Sequence, residues 1–115
     1  MALFEIEYYI RPNGDRPVGD WLNQLHIDFR KVMMAKVVSL SEHGLDLLST
    51  KVLERIQGDD RDFYELRGGR CRIAAYYDEM TRKFILLHGF IKTRDNERRE
   101  IDRARDLLRE YLHAR

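Results

Sequence analysis

The chain has 115 residues, of which 43% are hydrophobic and 36% charged, and its formal net charge is +1 at pH 7. These values are typical of one globular domain with a heavily charged surface, and we expect residues 1–115 to form a single domain. The one cysteine excludes an intramolecular disulfide, and the scattered histidines show no metal-ligand spacing, so we expect neither a metal nor another cofactor. No apolar run approaches the roughly 20 residues of a membrane span, and no signal-peptide pattern is present, so we expect a cytoplasmic protein without membrane contact.

The charges are distributed unevenly between the two halves of the chain. Residues 1–60 carry seven Lys and Arg against ten Asp and Glu, a net charge of −3. Residues 61–115 carry fourteen against ten, a net charge of +4. The two halves could therefore meet partners of opposite charge, an anionic one at the C-terminal half.

The first half predicts one strand and two helices. Residues 2–11 alternate apolar and polar side chains as a half-buried strand does, and the following PNGDRP segment ends it. Pro17 suits the first turn of a helix, whose apolar stripe is Val18, Trp21, Leu22 and Leu25. A second helix is predicted from Asp28 to His43 with Gly44 as its C-cap, and its apolar stripe is Phe29, Met33, Val37 and Leu40, widened by Val32 and Val38. Residues 51–57 fit either a helical turn or a short strand.

Residues 62–94 predict three strands joined by tight turns. Alternation places Tyr64 and Leu66 opposite Phe63, Glu65 and Arg67, and in the next strand it places Cys71, Ile73, Ala75 and Tyr77 opposite Arg72, Ala74 and Tyr76. In the third strand, the same rule places Ile85, Leu87, Gly89 and Ile91 opposite Phe84, Leu86, His88, Phe90 and Lys92. With the apolar sides aligned, the other side of the sheet carries a basic cluster, which is the candidate site: Arg67, Arg72, His88 and Lys92.

Residues 95–113 predict a last helix that Asp95 or Asn96 can cap. Its apolar stripe is Ile101, Ala104, Leu107, Leu108 and Tyr111. The predicted order is therefore β-α-α-β-β-β-α, an α+β arrangement. We expect the strand at 2–11 to join the same sheet and the first two helices to cover its apolar face.

Arg67 and Arg72 are predicted to face each other across a Gly68-Gly69 turn, since two glycines suit a primed hairpin turn. Like charges in that position repel each other unless an anion lies between them, which makes the pair a candidate phosphate site. The alternative is a solvated edge in which Glu65 is their partner. Because both arginines fall on the polar face, losing either should cost little stability, about 0.5 kcal/mol or less.

The other candidates have both functional and structural interpretations. His88 and Lys92 share a face about 13 Å apart along the strand, and a single strand histidine is more often structural. Tyr76, Tyr77 and Tyr111 could stack on RNA bases, but Tyr77 should face the core and Tyr111 fits packing equally well. Cys71 is expected to be a small buried residue and not a nucleophile.

Four segments carry a family resemblance: FYELR, RCRI, ILLHGFIK and REIDRARDLLREY. Together they resemble the HigB-like branch of the RelE/ParE toxin superfamily of type II toxin–antitoxin systems, close to its phage-derived members. The resemblance implies a RelE-like fold, a small twisted and mainly antiparallel sheet with two N-terminal helices on one face and a C-terminal helix. The chain departs from the family pattern at Cys71, where an aromatic residue is common, at Thr93, where a second lysine is common, and in lacking a proline that opens the last helix.

The resemblance implies a ribosome-dependent endoribonuclease, or mRNA interferase, that inhibits translation and arrests growth. RNA carries its own nucleophile, the 2′-OH, so no metal is required and oriented cations can stabilise the phosphate. We assign Arg67 and Arg72 to the phosphate, Lys92 to a base or electrostatic role, and His88 to proton transfer or substrate positioning. The predicted RNA-binding residues are Arg70, Tyr76, Arg94 and Tyr111.

The implied partners are a HigA-like helix-turn-helix antitoxin, messenger RNA and the ribosome, with DNA bound only through the antitoxin. Two alternatives stay open. ParE-type relatives share this fold and act on DNA gyrase, so the chain could be a binding module that inhibits a protein. It could also be a degenerate prophage copy that has lost catalysis and keeps only antitoxin binding.

Overall fold

Strands and helices follow one another in an α+β order. The computed structural model describes residues 2–58 and 60–114. Within that part of the chain, the strands are β1 (Glu5–Tyr8), β2 (Leu53–Arg55), β3 (Phe63–Gly68), β4 (Cys71–Asp78) and β5 (Lys83–Ile91). The helices are α1 (Pro17–Gln24), α2 (Ile27–His43) and α3 (Glu97–His113), with a 3₁₀ helix at Gly44–Thr50. None of the helices in these two ranges is long and apolar enough to cross a membrane.

The strands form one sheet in the order β1-β5-β4-β3-β2. The neighbouring pairs are antiparallel except β1 and β5, which run parallel. The predicted α+β class and mainly antiparallel sheet are thus confirmed, and β1 joins the sheet as predicted. The predicted order of elements lacked one strand, because residues 53–55 form β2, which leaves the order β-α-α-β-β-β-β-α.

Both faces of the sheet are covered, which is the main correction to the sequence analysis. On one face, α1 and α2 bury the predicted side chains of β3 and β4 in a core that includes Tyr64, Leu66, Ile73 and Tyr77. On the other face, the predicted stripe of α3 packs on a second core that includes Phe63, Ile85, Leu87 and Phe90. The basic candidates therefore share their face with a helix, and that face is not the open polar surface that alternation predicted.

The helices have nearly the predicted boundaries. Pro17 lies in the first turn of α1, and α2 ends at Gly44, whose φ is +55°. A Cβ at Gly44 would lie 2.4 Å from the ring of Phe4, so this position needs glycine for space as well as conformation. The predicted stripe of α2 was too wide, because the helix meets the sheet along Met33, Val37 and Leu40 alone, which leaves exposed Phe29, Val32 and Val38.

A β-bulge changes the facing of residues along β5. Ala75 pairs with Leu86 and Ala74 pairs with His88, so Leu87 is an extra residue between the two pairs. Leu87 belongs to the core under α3, and His88, opposite Ala74, faces the same helix. The uninterrupted alternation predicted for this strand is therefore wrong. The bulge shifts the pairing of β5 with β4 by one residue, so that Ala74 is opposite His88 and His88 faces α3.

Candidate functional site

Basic side chains gather where the β3–β4 hairpin meets the end of β5. Arg67 and Arg72 are directly opposite each other in the ladder, as predicted, but the turn between their strands is Gly69-Arg70 and not the predicted Gly68-Gly69. The Lys92 backbone N–H donates to the carbonyl of Arg70 at 2.7 Å, which joins the hairpin turn to the segment after β5. An open groove of about 390 Å³ lies here, lined by Arg70, Lys92, Thr93 and Arg94. We call the five cations of this region the cationic corner: Arg67, Arg70, Arg72, Lys92 and Arg94.

A buried carboxylate lies between the two opposed arginines. Glu65 is only 3% exposed, and its Oε1 accepts a hydrogen bond from Arg67 Nε at 2.9 Å. The same oxygen lies 3.4 Å from Arg72 Nε, an ion pair without hydrogen-bond geometry. On its exposed side, Arg67 Nη2 pairs with Glu54 Oε2 of β2 at 3.1 Å. Two opposed arginines were expected to need an anion between them, and the Glu65 carboxylate of the chain itself is that anion.

The two arginines differ in how firmly the fold holds them. The Arg72 side chain is 11% exposed, and its Nη1 donates to the carbonyls of Gly69 at 2.6 Å and Cys71 at 3.0 Å. The Arg67 side chain is 30% exposed and bonds only to carboxylates. Arg72 is therefore not the solvent-exposed side chain that its place on the predicted polar face indicated. Its guanidinium stabilises the hairpin turn through the Gly69 and Cys71 carbonyls and also lies at the candidate site.

Lys92 is held by the first turn of α3. Its Nζ forms an ion pair with Glu97 Oε2 at 3.0 Å. The segment before the helix is fixed by Asn96, whose side-chain oxygen accepts from the Thr93 N–H and whose amide donates to the Ile91 carbonyl. The sequence suggested Asn96 only as a helix cap. It is the N-cap residue, but its side chain orders the loop that presents Lys92 instead of bonding to the helix.

His88 lies on the same face of the sheet but in a different cleft. Its Nε2 is 3.5 Å from Glu100 Oε2, and its ring stacks on Phe90 with a centroid distance of 5.8 Å. Burial lowers the pKa of His88 below its usual 6.5, although the Glu100 carboxylate opposes that shift. The imidazole is therefore neutral at pH 7.

Helix α3 separates His88 from Arg67. One cleft, of about 400 Å³, lies between the β2–β3 edge and α3 and is lined by Glu65, Arg67, Glu97 and Arg98 among others. A second cleft, of about 440 Å³, lies between α1 and α3 and is lined by residues that include His88, Gly89 and Arg103. The structure thus brings together three of the four predicted catalytic residues, and it places His88 on the other flank of the helix.

Comparison with known proteins identifies the family. Residues 20–109 match the sequence profile of the family described as Phage derived protein Gp49-like (DUF891). The chain belongs to this family. The matched range contains the whole cationic corner, whereas β1 and Tyr111 lie outside it. No curated protein matches the sequence.

The Gp49-like chain is also similar to a solved structure. It aligns with a chain of the crystal structure of the toxin-antitoxin complex RelBE2 from Mycobacterium tuberculosis, with a TM-score of 0.50 and 15% sequence identity. The alignment covers 77% of this chain and 98% of that chain. At this identity the likeness shows the fold alone, which is RelE-like as predicted. The predicted membership of a phage-derived family and the predicted RelE-like fold are confirmed, and the HigB branch stays a prediction.

Three tyrosines of the Gp49-like chain, Tyr9, Tyr76 and Tyr111, pack together away from the cationic corner. The Tyr111 ring lies 5.7 Å from the Tyr9 ring and 6.1 Å from the Tyr76 ring. Tyr76 is four residues along β4 from Arg72, about 13 Å at the usual strand rise. Tyr77 is buried, as predicted. A role of Tyr76 and Tyr111 in RNA binding stays a prediction, and it requires a ligand long enough to reach this end of the strand.

Two further observations limit the chemistry of the site. Cys71 is buried as predicted, and burial raises the pKa of its thiol. Among residues 2–58 and 60–114, no three His, Cys, Asp or Glu side chains come together as a metal site. Sequence reasoning missed Glu54, because residues 51–57 fitted a helical turn as well as a short strand, and it treated Glu65 only as an alternative partner. The position of Glu65 two residues before Arg67 was the available signal, since alternation puts both on one face.

Proposed function

We propose that this chain is the toxin of a type II toxin–antitoxin pair, in the HigB-like branch, and that it cleaves messenger RNA on the ribosome as a metal-independent endoribonuclease. The cationic corner is the observation that carries the proposal, because it groups five basic side chains at one end of the sheet. The phage-derived family and the RelE-like fold support it. The similar solved structure is that of a toxin-antitoxin complex, which makes this class of function the natural one to test.

The proposed reaction uses the 2′-OH of the RNA as nucleophile. Its oxygen attacks the adjacent phosphorus, the bond from phosphorus to the 5′-oxygen breaks, and the proton lost by the 2′-OH is balanced by one gained at the leaving oxygen. Negative charge accumulates on the non-bridging oxygens in the transition state. In this proposal Arg67 and Arg72 donate hydrogen bonds to those oxygens, since charge-assisted bonds that are already oriented are the strongest contribution a protein can make there.

Lys92 and His88 take different roles in this proposal. Lys92 lies at the edge of the groove with Arg70 and Arg94, where its ammonium can neutralise the phosphate or, when deprotonated, accept the 2′-OH proton. His88 is neutral but lies across α3, so substrate positioning suits it better than direct proton transfer. The carboxylates that contact Arg67, those of Glu65 and Glu54, are engaged in ion pairs, so neither is assigned as the base, and the ribosome is expected to orient the RNA.

The proposed partners are messenger RNA, the ribosome and a HigA-like helix-turn-helix antitoxin, with DNA bound only through that antitoxin. Arg70, Arg94, Tyr76 and Tyr111 are the proposed RNA contacts. Apolar side chains exposed along α2 support an antitoxin that packs there with an amphipathic segment: Ile27, Phe29, Val32, Met34 and Val38. Messenger RNA under translation places the activity in the cytoplasm.

Expression of the chain without its partner tests the proposal. We expect growth arrest and messenger RNA cut within reading frames, and co-expression of the antitoxin frame should restore growth and yield a complex that survives chromatography. Intact messenger RNA with loss of DNA supercoiling would support gyrase inhibition instead. Normal growth with a stable antitoxin complex would indicate a copy that has lost catalysis.

A further inference from the structure

The arrangement around Glu65 is more specific than charge neutralisation requires. Glu65 contacts the Nε edge of both Arg67 and Arg72, and the two arginines are directly opposed across β3 and β4. Arg72 Nη1 is used by the carbonyls of Gly69 and Cys71, and Arg67 Nη2 is used by Glu54. Within the described residues, Arg67 Nη1 and Arg72 Nη2, one from each guanidinium, make no hydrogen bond.

We propose that Glu65 is a positioning residue, which holds the two guanidinium groups side by side so that each presents one free Nη to the same phosphate group. This inference rests on the proposed function and concerns the same site. Without a buried anion between them, two opposed arginines repel each other and splay apart. With Glu65 in place, their separation and orientation are set before the substrate arrives.

Glu54 also contacts the Arg67 guanidinium, but we expect it to oppose phosphate binding. It lies on β2 at the exposed side of Arg67, where it competes with an incoming phosphate for Arg67 Nη2. Removing the charge of Glu54 should therefore leave cleavage unchanged or improve it, whereas removing the charge of Glu65 should impair it. If only the loss of negative charge mattered, the cleavage rate would change in the same direction in both variants. Comparing the two variants therefore distinguishes a positioning role from a general charge effect.

The test measures kcat and KM for messenger RNA cleavage on programmed ribosomes with the full chain. Glu65→Gln keeps the shape of the side chain and removes its charge, and Glu65→Asp keeps the charge and withdraws the carboxylate. We expect kcat to fall about 100-fold in Glu65→Gln and roughly 10-fold in Glu65→Asp with little change in KM, because a misplacement of about 1 Å costs on this scale. Wild-type kcat in either folded variant overturns the inference.

Glu110→Gln is the matched control. Glu110 also joins two side chains through a partly buried carboxylate, since it accepts from Arg11 and from the Tyr9 hydroxyl, but it lies at the tyrosine end of the sheet. We expect it to lower the melting temperature as the Glu65 variants do and to keep wild-type kcat. Equal losses of kcat in Glu110→Gln and Glu65→Gln would mean that stability alone is responsible, and they would overturn the inference.

A second measurement does not depend on cleavage. Inorganic phosphate is titrated into the free wild-type chain while the Nε–Hε signals of its arginines are followed by NMR. We expect the Arg67 and Arg72 signals to shift together, with the same midpoint, and to lose that shared response in Glu65→Gln. A response of one arginine alone in the wild type, or an unchanged response in Glu65→Gln, overturns the inference. If the wild type shows this response but cuts no RNA, the proposed function fails and the positioning role stands.

Discussion

Gly89 should be the least replaceable glycine of β5, because α1 lies directly on it. A Cβ at this position would be 2.2 Å from Cε3 of Trp21, far inside the ordinary contact distance of 3.4–4 Å. Its φ is not positive, so an alanine is allowed by the backbone and the cost is steric. The indole is a rigid ring, and relieving the overlap requires α1 to move away from the core that Val18 and Leu22 fill. We expect Gly89→Ala to cost about 2 kcal/mol, the middle of the range for overpacked cores.

Thermal melting measures this effect. For a chain of this size, about 2 kcal/mol corresponds to a melting temperature lower by roughly 8–12 °C. Gly68→Ala is the comparison, because its Cβ would meet Sδ of buried Met33 at 2.6 Å and Cγ1 of Val32 at 3.1 Å, and an unbranched thioether adjusts more easily than an indole ring. The double variant Gly89→Ala, Trp21→Leu should recover part of the loss, since the overlap is gone. A Gly89→Ala melting temperature equal to that of the wild type would refute the close packing of α1 on β5, and an equal loss in Gly68→Ala would point to a general strand effect.

Two further predictions concern the site residues. Arg72→Ala should lower the free energy of unfolding by about 2 kcal/mol, because it leaves the carbonyls of Gly69 and Cys71 without this donor. Arg67→Ala should also cost about 2 kcal/mol, because it removes the hydrogen bond to the buried Glu65 carboxylate. A loss of about 0.5 kcal/mol or less for either variant in urea unfolding, as for a surface change, would contradict these structural roles. Because the pKa of folded His88 is lowered from 6.5, the unfolded chain binds the proton first, and the wild type loses stability as pH falls below that value. His88→Gln should flatten the fall in unfolding free energy between about pH 7 and about pH 5, and parallel profiles would contradict it.

Periodicity predicted the elements that present a long regular pattern. The stripe from Ile101 to Leu108 and the stripe from Met33 to Leu40 are long enough to identify α3 and α2, and alternation assigned β3 and β4 to the correct faces. Periodicity could not decide whether residues 53–55 form a strand, because three residues are too few to show an alternating pattern. The bulge at Leu87 could not be predicted from β5 alone. An extra residue is recognised only from the pairing of β5 with β4, which depends on both strands.

The sequence predicted which residues form the candidate site, but it did not predict the helix and the clefts that surround them. The pairing of Arg67 with Arg72 was predicted, but the turn was placed one residue too early: a loop at Gly68-Gly69 would pair Arg67 with Arg70, whereas the chain turns at Gly69-Arg70. Helix α3 covers the face that carries both arginines, and this depends on tertiary packing. The basic residues of the strands instead suggested an exposed face. The separation of His88 from Arg67 follows from the path of α3 across the sheet, and no spacing along one strand contains that information.

The decisive measurement is cleavage of messenger RNA on programmed ribosomes by the purified chain. We expect the wild-type chain to cut within the reading frame only when the ribosome is present, and we expect no cuts with Arg67→Ala, a variant expected to stay folded. The Arg67→Ala protein should still bind the antitoxin, which shows that its surface is intact. Cleavage by Arg67→Ala at the wild-type rate, or no cleavage by a wild-type chain that binds its antitoxin, would contradict the account.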